Sequence, residues 1–393
     1  MPPSDALAPR RPSLRNDPRI HAVFFQIVVV ALVLALAAFL VRNTLVNMER
    51  QGIATGFSYL DREASFEIGE SLIAYSPADT YGRALLVGLL NTLLVAGLGI
   101  VLSTVLGTAI GIARLSVNWL LRTLALCYVE ALRNVPLLLQ LILWWDVLRV
   151  SAPPPRQAWQ PLPGVFISVR GIVFPVPAAS PVHGAMGLAF VAALALGLVI
   201  AGWARRRRHA TGRDFPSFAV VCGLVVVLPL AVFLLGGAPL AWNWPSLRGF
   251  NFAGGASLSP EFAALLFGLV AYTAAFVAEI VRSGIDGVAR GQSEAAQALG
   301  LRRGQTLRLV VLPQALRIIV PPLLNEWLAI TKNSSLAIAI GFPELMSITN
   351  TTLNQTGQAV EAIALMMGIY LAISLVTSLA TNWFNHRIAL VER

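Results

Sequence analysis

The chain has 393 residues, 56% of them hydrophobic and 12% charged, with a formal net charge of +10 and a mean hydropathy of +0.72. Soluble domains carry about 25% charged residues, so this composition excludes a water-soluble globular protein and points to the bilayer, where each spanning helix takes ~20 apolar residues. The basic residues flank apolar runs instead of gathering on one soluble face, which excludes a nucleic-acid binder.

Eight apolar runs are long enough to cross, at 20–41, 84–113, 118–148, 184–203, 217–236, 261–281, 317–340 and 360–383. The predicted fold class is therefore an all-α integral membrane protein with about eight transmembrane helices. The run at 20–41 is too long for the apolar part of a cleavable signal and ends in Arg42, so a retained anchor is expected. With the N-terminus inside, the inner segments hold Arg10, Arg11, Arg15, Arg19, Arg114, Arg122, Arg205 to Arg208, Arg213, Arg282, Arg290, Arg302, Arg303, Arg308, Arg317, Arg387 and Arg393. The outer segments hold Arg42, Arg50, Arg62, Arg83, Arg149, Arg156, Arg170 and Arg248, so the split is 19 to 8 and both termini are expected in the cytoplasm. The run Arg205–Arg208 reads as a topogenic patch.

The outer loop 42–83 is acidic, with Glu49, Asp61, Glu63, Glu67, Glu70 and Asp79, and reads as a plain surface loop. The outer loop 149–183 contains SAPPPRQAWQPLPG and VFPVPAASP, a composition that favours extended chain. Neither loop holds a nucleophile or metal constellation.

Cys127 and Cys222 lie inside apolar runs and are expected as packed thiols without a disulfide. His21, His183, His209 and His386 have no paired-ligand spacing. The single lysine, Lys332, is followed by Asn333, so the chain lacks a G-x-x-x-x-G-K-[ST] phosphate loop. No catalytic residue, metal site or resident cofactor is predicted. If ATP drives whatever the chain does, another chain binds it.

Polar groups inside spans are costly and default to functional candidates. Glu130 and Arg133 are three apart, on one helix face, and can pair; a structural ion pair is as good a reading as a substrate path. Pro136 loosens the helix beyond them. In the span at 317–340, Pro321 and Pro322 free backbone acceptors, and Asn325, Glu326, Lys332, Asn333, Ser334 and Ser335 follow. Glu326 and Lys332 are six apart and are not expected side by side. Lys332 can meet a substrate carboxylate, tie two subunits together, or pair with Glu279. Asn91 and Thr92 suit either a path or helix–helix hydrogen bonds.

Between two apolar runs, on the inner side, stands GQSEAAQALGLRR, residues 291–303. Ser293 is a fitting N-cap, Glu294 favours the first turn, and Gly300 is placed to end the helix in a left-handed conformation. A second helical stretch is expected from about Gln305 into Pro313. Two turns of helix are marginal alone, so this one must dock on something.

The positions Glu294, Ala295, Ala296, Gly300, Val310, Leu312 and Pro313 resemble the EAA loop of ABC importer permeases, with Val310 where Ile is usual. Ala278-Glu279-Ile280-Val281-Arg282 with Gly291-Gln292 is similar to the A-E-x-x-R…G-Q signature of polar amino-acid uptake permeases. Glu130 to Gln140 resembles that family's E-x-x-R-x-x-P-L-L-x-Q, Lys332 to Leu336 its K-[DN]-[ST]-S-L, and Gly88 to Leu93 the start of its first core helix.

The resemblance implies a five-helix type I permease core in two parts, 84–150 and 260–385, with the EAA loop at 285–316. Around it lie a tail at 1–19, an anchor at 20–41, a periplasmic loop at 42–83, an insertion at 151–259 with two extra helices, and a tail at 386–393. This longer layout resembles one subunit of the general L-amino-acid importer and of the glutamate/glutamine/aspartate/asparagine importer. By resemblance, Glu294, Ala295, Ala296, Gly300, Arg302 and Arg303 couple to a cytosolic ABC ATPase dimer, which binds ATP and Mg. Asn91, Thr92, Glu130, Arg133, Gln140, Glu279, Asn325, Glu326, Lys332, Asn333, Ser334 and Ser335 are the substrate-path candidates. The implied partners are that ATPase, a second and different homologous permease, a periplasmic amino-acid-binding protein, an L-amino acid and membrane lipid, at the bacterial inner membrane. The competing readings are an ATP-independent secondary carrier and a scaffold.

Overall fold

The computed structural model of the chain describes residues 18–52, 55–212 and 214–388. The expected tails at 1–19 and 386–393, with Arg10, Arg11, Arg15 and Arg393, and also Arg213, lie wholly or partly outside the described residues.

Long uninterrupted apolar stretches give long helices: α1 (Pro18–Arg50), α2 (Tyr81–Arg114), α5 (Pro181–Thr211), α6 (Ser217–Leu235), α7 (Pro260–Asp286) and α12 (Ala359–Ile388). A seventh apolar stretch is composite, running from Arg303 through α10 (Leu312–Asn333) and a 3₁₀ segment to Ile340. Among the described residues these are the seven helices long and apolar enough to cross a membrane.

The run at 118–148 is not one straight span. It forms α3 (Trp119–Asn134) and α4 (Leu137–Arg149), bent by 104° at Val135-Pro136. Proline has no N–H to continue α3 and forces the residue before it out of helical geometry; Val135 is extended, at ψ 127°. Asn118 caps the start of α3, its side chain accepting from the N–H of Leu120 and Leu121.

The all-α expectation also fails in the insertion. Eight short strands form there: β1 (Trp159–Leu162), β2 (Val165–Ser168), β3 (Gly171–Phe174), β4 (Val176–Pro177), β5 (Trp242–Asn243), β6 (Ser246–Arg248), β7 (Asn251–Ala253) and β8 (Ala256–Leu258). The order β1-β2-β3-β8 makes an antiparallel sheet, with β4–β5 and β6–β7 as separate pairs. Between the prolines sit the quartets Val-Phe-Ile-Ser and Gly-Ile-Val-Phe, whose branched and aromatic side chains suit a pleated surface.

The chain divides into two compact units. The first comprises residues up to Leu89 and Leu345–Leu375. Its core is Tyr59, Ala64, Tyr81, Ala84, Leu85, Leu345 and Ile348. Residues expected as a plain acidic loop are tied down here. The Gly56 N–H donates to Glu361 Oε1 at 2.8 Å, Gln358 Nε2 donates to the Gly56 carbonyl at 3.1 Å, and Glu63 bridges to Thr80. The short helix α11 (Leu345–Thr356), absent from the sequence-based expectations, contributes Gln355, which accepts from the Tyr81 hydroxyl at 2.9 Å.

The second unit comprises Leu90–Glu344 and the residues from Val376. Helix α7 is its axis, packed by α3, α4 and α10. Ala274, Ala275, Val277, Ala278 and Val281 are buried along it. At Gly107 on α2 a Cβ would lie 2.6 Å from Val277 Cβ, so glycine permits the close approach of α2 to α7. Cys127 and Cys222 are both free and exposed, not packed: among the described residues nothing covers the helix face on which each lies.

Candidate functional site

Helix α7 ends at Asp286, and a short polar helix, α8 (Arg290–Ala298), follows. It begins earlier than expected. Ala289, not Ser293, is the N-cap, no side chain caps it, and Glu294 lies past the first turn. The C-terminus is as expected: Gly300 is left-handed at φ +80°. The Leu301 N–H donates to the Ala296 carbonyl (3.1 Å) and the Gly300 N–H to the Gln297 carbonyl (2.9 Å), the paired bonds of a Schellman end. This geometry gives the four-residue spacing from Ala296 to Gly300 its physical reason.

After the turn, α9 (Arg303–Thr306) passes through a π-helical turn, Leu307–Val311, into α10. The Arg302 N–H donates to Gln305 Oε1 at 3.0 Å. Pro313 falls in the first turn of α10, where a missing N–H costs least. Helix α8 rests on α9 and the π-helical turn, and Gln314 Nε2 reaches Gln292 Oε1 at 3.4 Å. Only Ala296 is buried; Glu294, Ala295, Gly300, Arg302 and Arg303 are exposed. Leu299 is 83% exposed.

A second cluster lies where α2, α3 and α7 meet. Glu279 accepts from both Arg114 and Arg282, and Arg133 stands 3.9 Å away. Arg282 also donates to Asp286 at 2.9 Å. The expected pair Glu130–Arg133 does not form. Arg133 turns to Glu279 and lies over the Phe276 ring at 5.1 Å, while Glu130, exposed, accepts from Asn134 at 3.4 Å. Helix α7 supplies Arg133 with both the carboxylate and the ring. Glu326 on α10 is close enough to Arg133 for a favourable charge interaction. Thus Arg133 and Glu279 are brought together, and Glu326 feels the charge of Arg133.

Gln140 is buried at the break between α3 and α4, and its Nε2 donates to the carbonyls of Leu132 and Val135, each at 2.9 Å. Asn91 and Thr92 are buried on α2; Asn91 Nδ2 donates to the Pro343 carbonyl at 2.8 Å and Thr92 Oγ1 lies 3.4 Å from Glu344 Oε2. Glu344, fully buried, was not among the expected site residues. It follows the apolar run at 317–340 in a Gly-Phe-Pro turn, and its only sequence signal is a carboxylate at a helix border.

Helix α10 stays helical through Pro321 and Pro322 and passes into the 3₁₀ segment Ser334–Ile340. The hydroxyls of Ser334 and Ser335 donate to their own helix, at Thr331 O (2.8 Å) and Lys332 O (2.7 Å). Asn325 and Lys332 are exposed and Asn333 is half-buried. Lys332 does not pair with Glu279, whose oxygens are taken by arginines. These residues therefore do not gather around the Arg133 cluster. Among the described residues no group of His, Cys, Asp and Glu can hold a metal ion.

Residues 99–390 match the family described as "Binding-protein-dependent transport system inner membrane component". The chain is 47% identical over 381 residues to the general L-amino acid transport system permease protein AapQ of Rhizobium johnstonii, covering 97% of this chain and 95% of the relative. It is 48% identical over 378 residues to YhdX of Escherichia coli, named as an amino-acid ABC transporter permease protein, covering 96% of each chain. It is 42% identical over 414 aligned positions to the glutamate/glutamine/aspartate/asparagine transport system permease protein BztB of Rhodobacter capsulatus, again covering 96% of each.

Proposed function

The chain belongs to the family of binding-protein-dependent transport system inner membrane components, and from that premise we propose how its parts serve transport. It is a multi-pass inner-membrane permease subunit of an amino-acid ABC importer, a translocation component and not an enzyme. The secondary-carrier reading is set aside, since the matched relatives are named as ABC permease subunits or members of such transport systems.

The substrates in this reading are polar L-amino acids, over a broad range or centred on glutamate, glutamine, aspartate and asparagine. Both termini and α8 face the cytoplasm, and a type I core is formed from 84–150 and 260–385. A periplasmic binding protein delivers the amino acid, and a second, different permease subunit completes the path. ATP and Mg bind a cytosolic ATPase dimer that receives α8.

The observation that supports this most directly is the state of α8. It is a two-turn helix with one buried residue, resting only on the short elements that follow it, and it carries Leu299 into solvent beside the Schellman turn. An exposed leucine on a polar surface helix suits the apolar centre of a docking contact. The Arg133–Glu279 cluster links helices that such a docking event would move, and Arg133, held by Glu279 only at 3.9 Å, suits a carboxylate passing by.

The test is uptake of a labelled L-amino-acid panel into vesicles holding the permease pair, the ATPase and the binding protein. ATP-dependent uptake that disappears in Leu299→Glu, with the membrane subunits still assembled, supports the reading. Uptake that continues without ATP, or ignores Leu299→Glu, overturns it.

A further inference from the structure

Helices α5 and α6 form a hairpin that buries little. Helix α6 has no buried residue, and α5 is buried mainly at Ala189, Ala193 and Ala204. The two approach closely at Gly197, where a Cβ would lie 2.7 Å from Val221 Cγ1. Beside this crossing runs an open groove of roughly 480 Å³, lined by Leu194, Gly197, Leu198, Ala201, Phe218 and Val221.

The groove points at the arginine run. Leu194, Leu198, Ala201, Arg205 and Arg208 recur every three or four residues and share one face of α5. Arg205 therefore stands about one turn beyond the groove and Arg208 about two. Not all four arginines are free to face a ligand. Arg207 lies over the rings of Trp203 (5.2 Å) and Phe215 (5.9 Å), which hold each other edge-on at 5.3 Å. Arg208 makes a 3.5 Å contact with Asp214, both largely exposed, a weak pair. Among the described residues Arg205 and Arg206 have no side-chain partner.

A run of arginines is enough to orient a helix, and it needs no groove. Here an apolar slot ends at the uncommitted Arg205 and the weakly paired Arg208 on the same helix face. That pairing fits a molecule with a long apolar tail and one anionic end, which the bilayer supplies. Guanidinium recognises phosphate oxygens with two parallel hydrogen bonds, and basic clusters at the ends of spans attract anionic headgroups. We infer that the α5–α6 groove, with Arg205 and Arg208, is a binding site for one anionic phospholipid. An acyl chain lies against Leu198, Ala201 and Phe218, and the phosphodiester meets the two arginines.

The test is native mass spectrometry of the full chain, delipidated in detergent and titrated with dioleoyl-phosphatidylglycerol or dioleoyl-phosphatidylcholine. The wild type is expected to retain the anionic lipid about tenfold better. Arg205→Ala/Arg208→Ala removes that preference, while Arg206 and Arg207 remain to hold the topology. Ala201→Phe keeps every charge, fills the groove and lowers retention of the anionic lipid. Equal retention of the two lipids by the wild type overturns the site. So does an unchanged preference in the double variant, or a second protein chain that co-purifies on this face and excludes lipid.

Discussion

The side-chain amide of Gln140 donates to the backbone carbonyl of Leu132 across the break between α3 and α4. A second bond, to Val135, makes one side chain the C-terminal cap of α3 at a 104° turn. The carbonyls it serves lose their helical partners at Pro136 and have no water inside a bilayer. Gln140→Leu is expected to cost about 1–3 kcal/mol, the usual penalty for stranding buried acceptors. The unfolding midpoint of the detergent-solubilised protein checks this; an unchanged midpoint would mean that the break is held by packing alone.

Glu279 is the single carboxylate shared by Arg114 and Arg282, with Arg133 nearby. Glu279→Gln leaves those cations facing one another, and about 2 kcal/mol of destabilisation is expected. Arg133→Ala should lose under about 0.5 kcal/mol, because its contact is longer and more exposed. Thermal unfolding of the two variants side by side tests the order. The prediction fails if Arg133→Ala is the more damaging in stability.

At Gly300 nothing stands within 4 Å of the place a Cβ would occupy, so only its positive φ demands glycine. Gly300→Ala should therefore fray the end of α8 by about 1–2 kcal/mol without disturbing the spans. Gly300→Asn should be milder, since asparagine tolerates the left-handed region. Uptake is expected to follow the order Gly, Asn, Ala, while membrane insertion stays constant. Equal uptake in all three would remove the turn from the transport cycle.

Tyr59 lies outside the spans, its hydroxyl buried and, among the described residues, without a hydrogen-bond partner. Burial first, and then the charge of Glu361, raise its pKa above the ordinary value. The unfolded chain then gives up this proton before the folded one. Stability is unaffected below the ordinary tyrosine pKa of about 10 and falls as pH rises through it. Tyr59→Phe should be near neutral at about pH 8 and should lessen the alkaline loss. Tyr75, raised by burial, Asp79 and Tyr81, contributes to the remainder. Unfolding midpoints from about pH 8 to 11 decide it; parallel curves for the variant and the wild type would count against it.

What the sequence made legible was local. Apolar runs placed the starts of the uninterrupted long helices to within about three residues, although α1 and α5 run on eight or nine residues further, and the left-handed end of α8 followed from Gly300. Non-local features were hidden. Strand β3 pairs with β8 across a long stretch of chain, so no window of sequence contains both partners. Nothing around Glu130 and Arg133 shows that Glu279, on another helix, will claim the arginine. Ser293 fits a cap because serine often is one; the chain enters α8 from Gly287 and Ala289 instead, four residues sooner. Pro136 announced a disturbance, but its size depends on Gln140 holding the turn.

The pairing of Ile172, Val173 and Phe174 with Leu258, Ser257 and Ala256 brings together the two ends of everything between them. Antiparallel neighbours can be joined by two residues, so the whole excursion from 175 to 255 leaves and re-enters the chain at one doorway. An ancestor lacking it would need only a tight hairpin there, with the ladder on either side unchanged. The hairpin of α5 and α6 is thus detachable in principle: genes can gain it, lose it or exchange it as a cassette without re-threading the helices that carry transport.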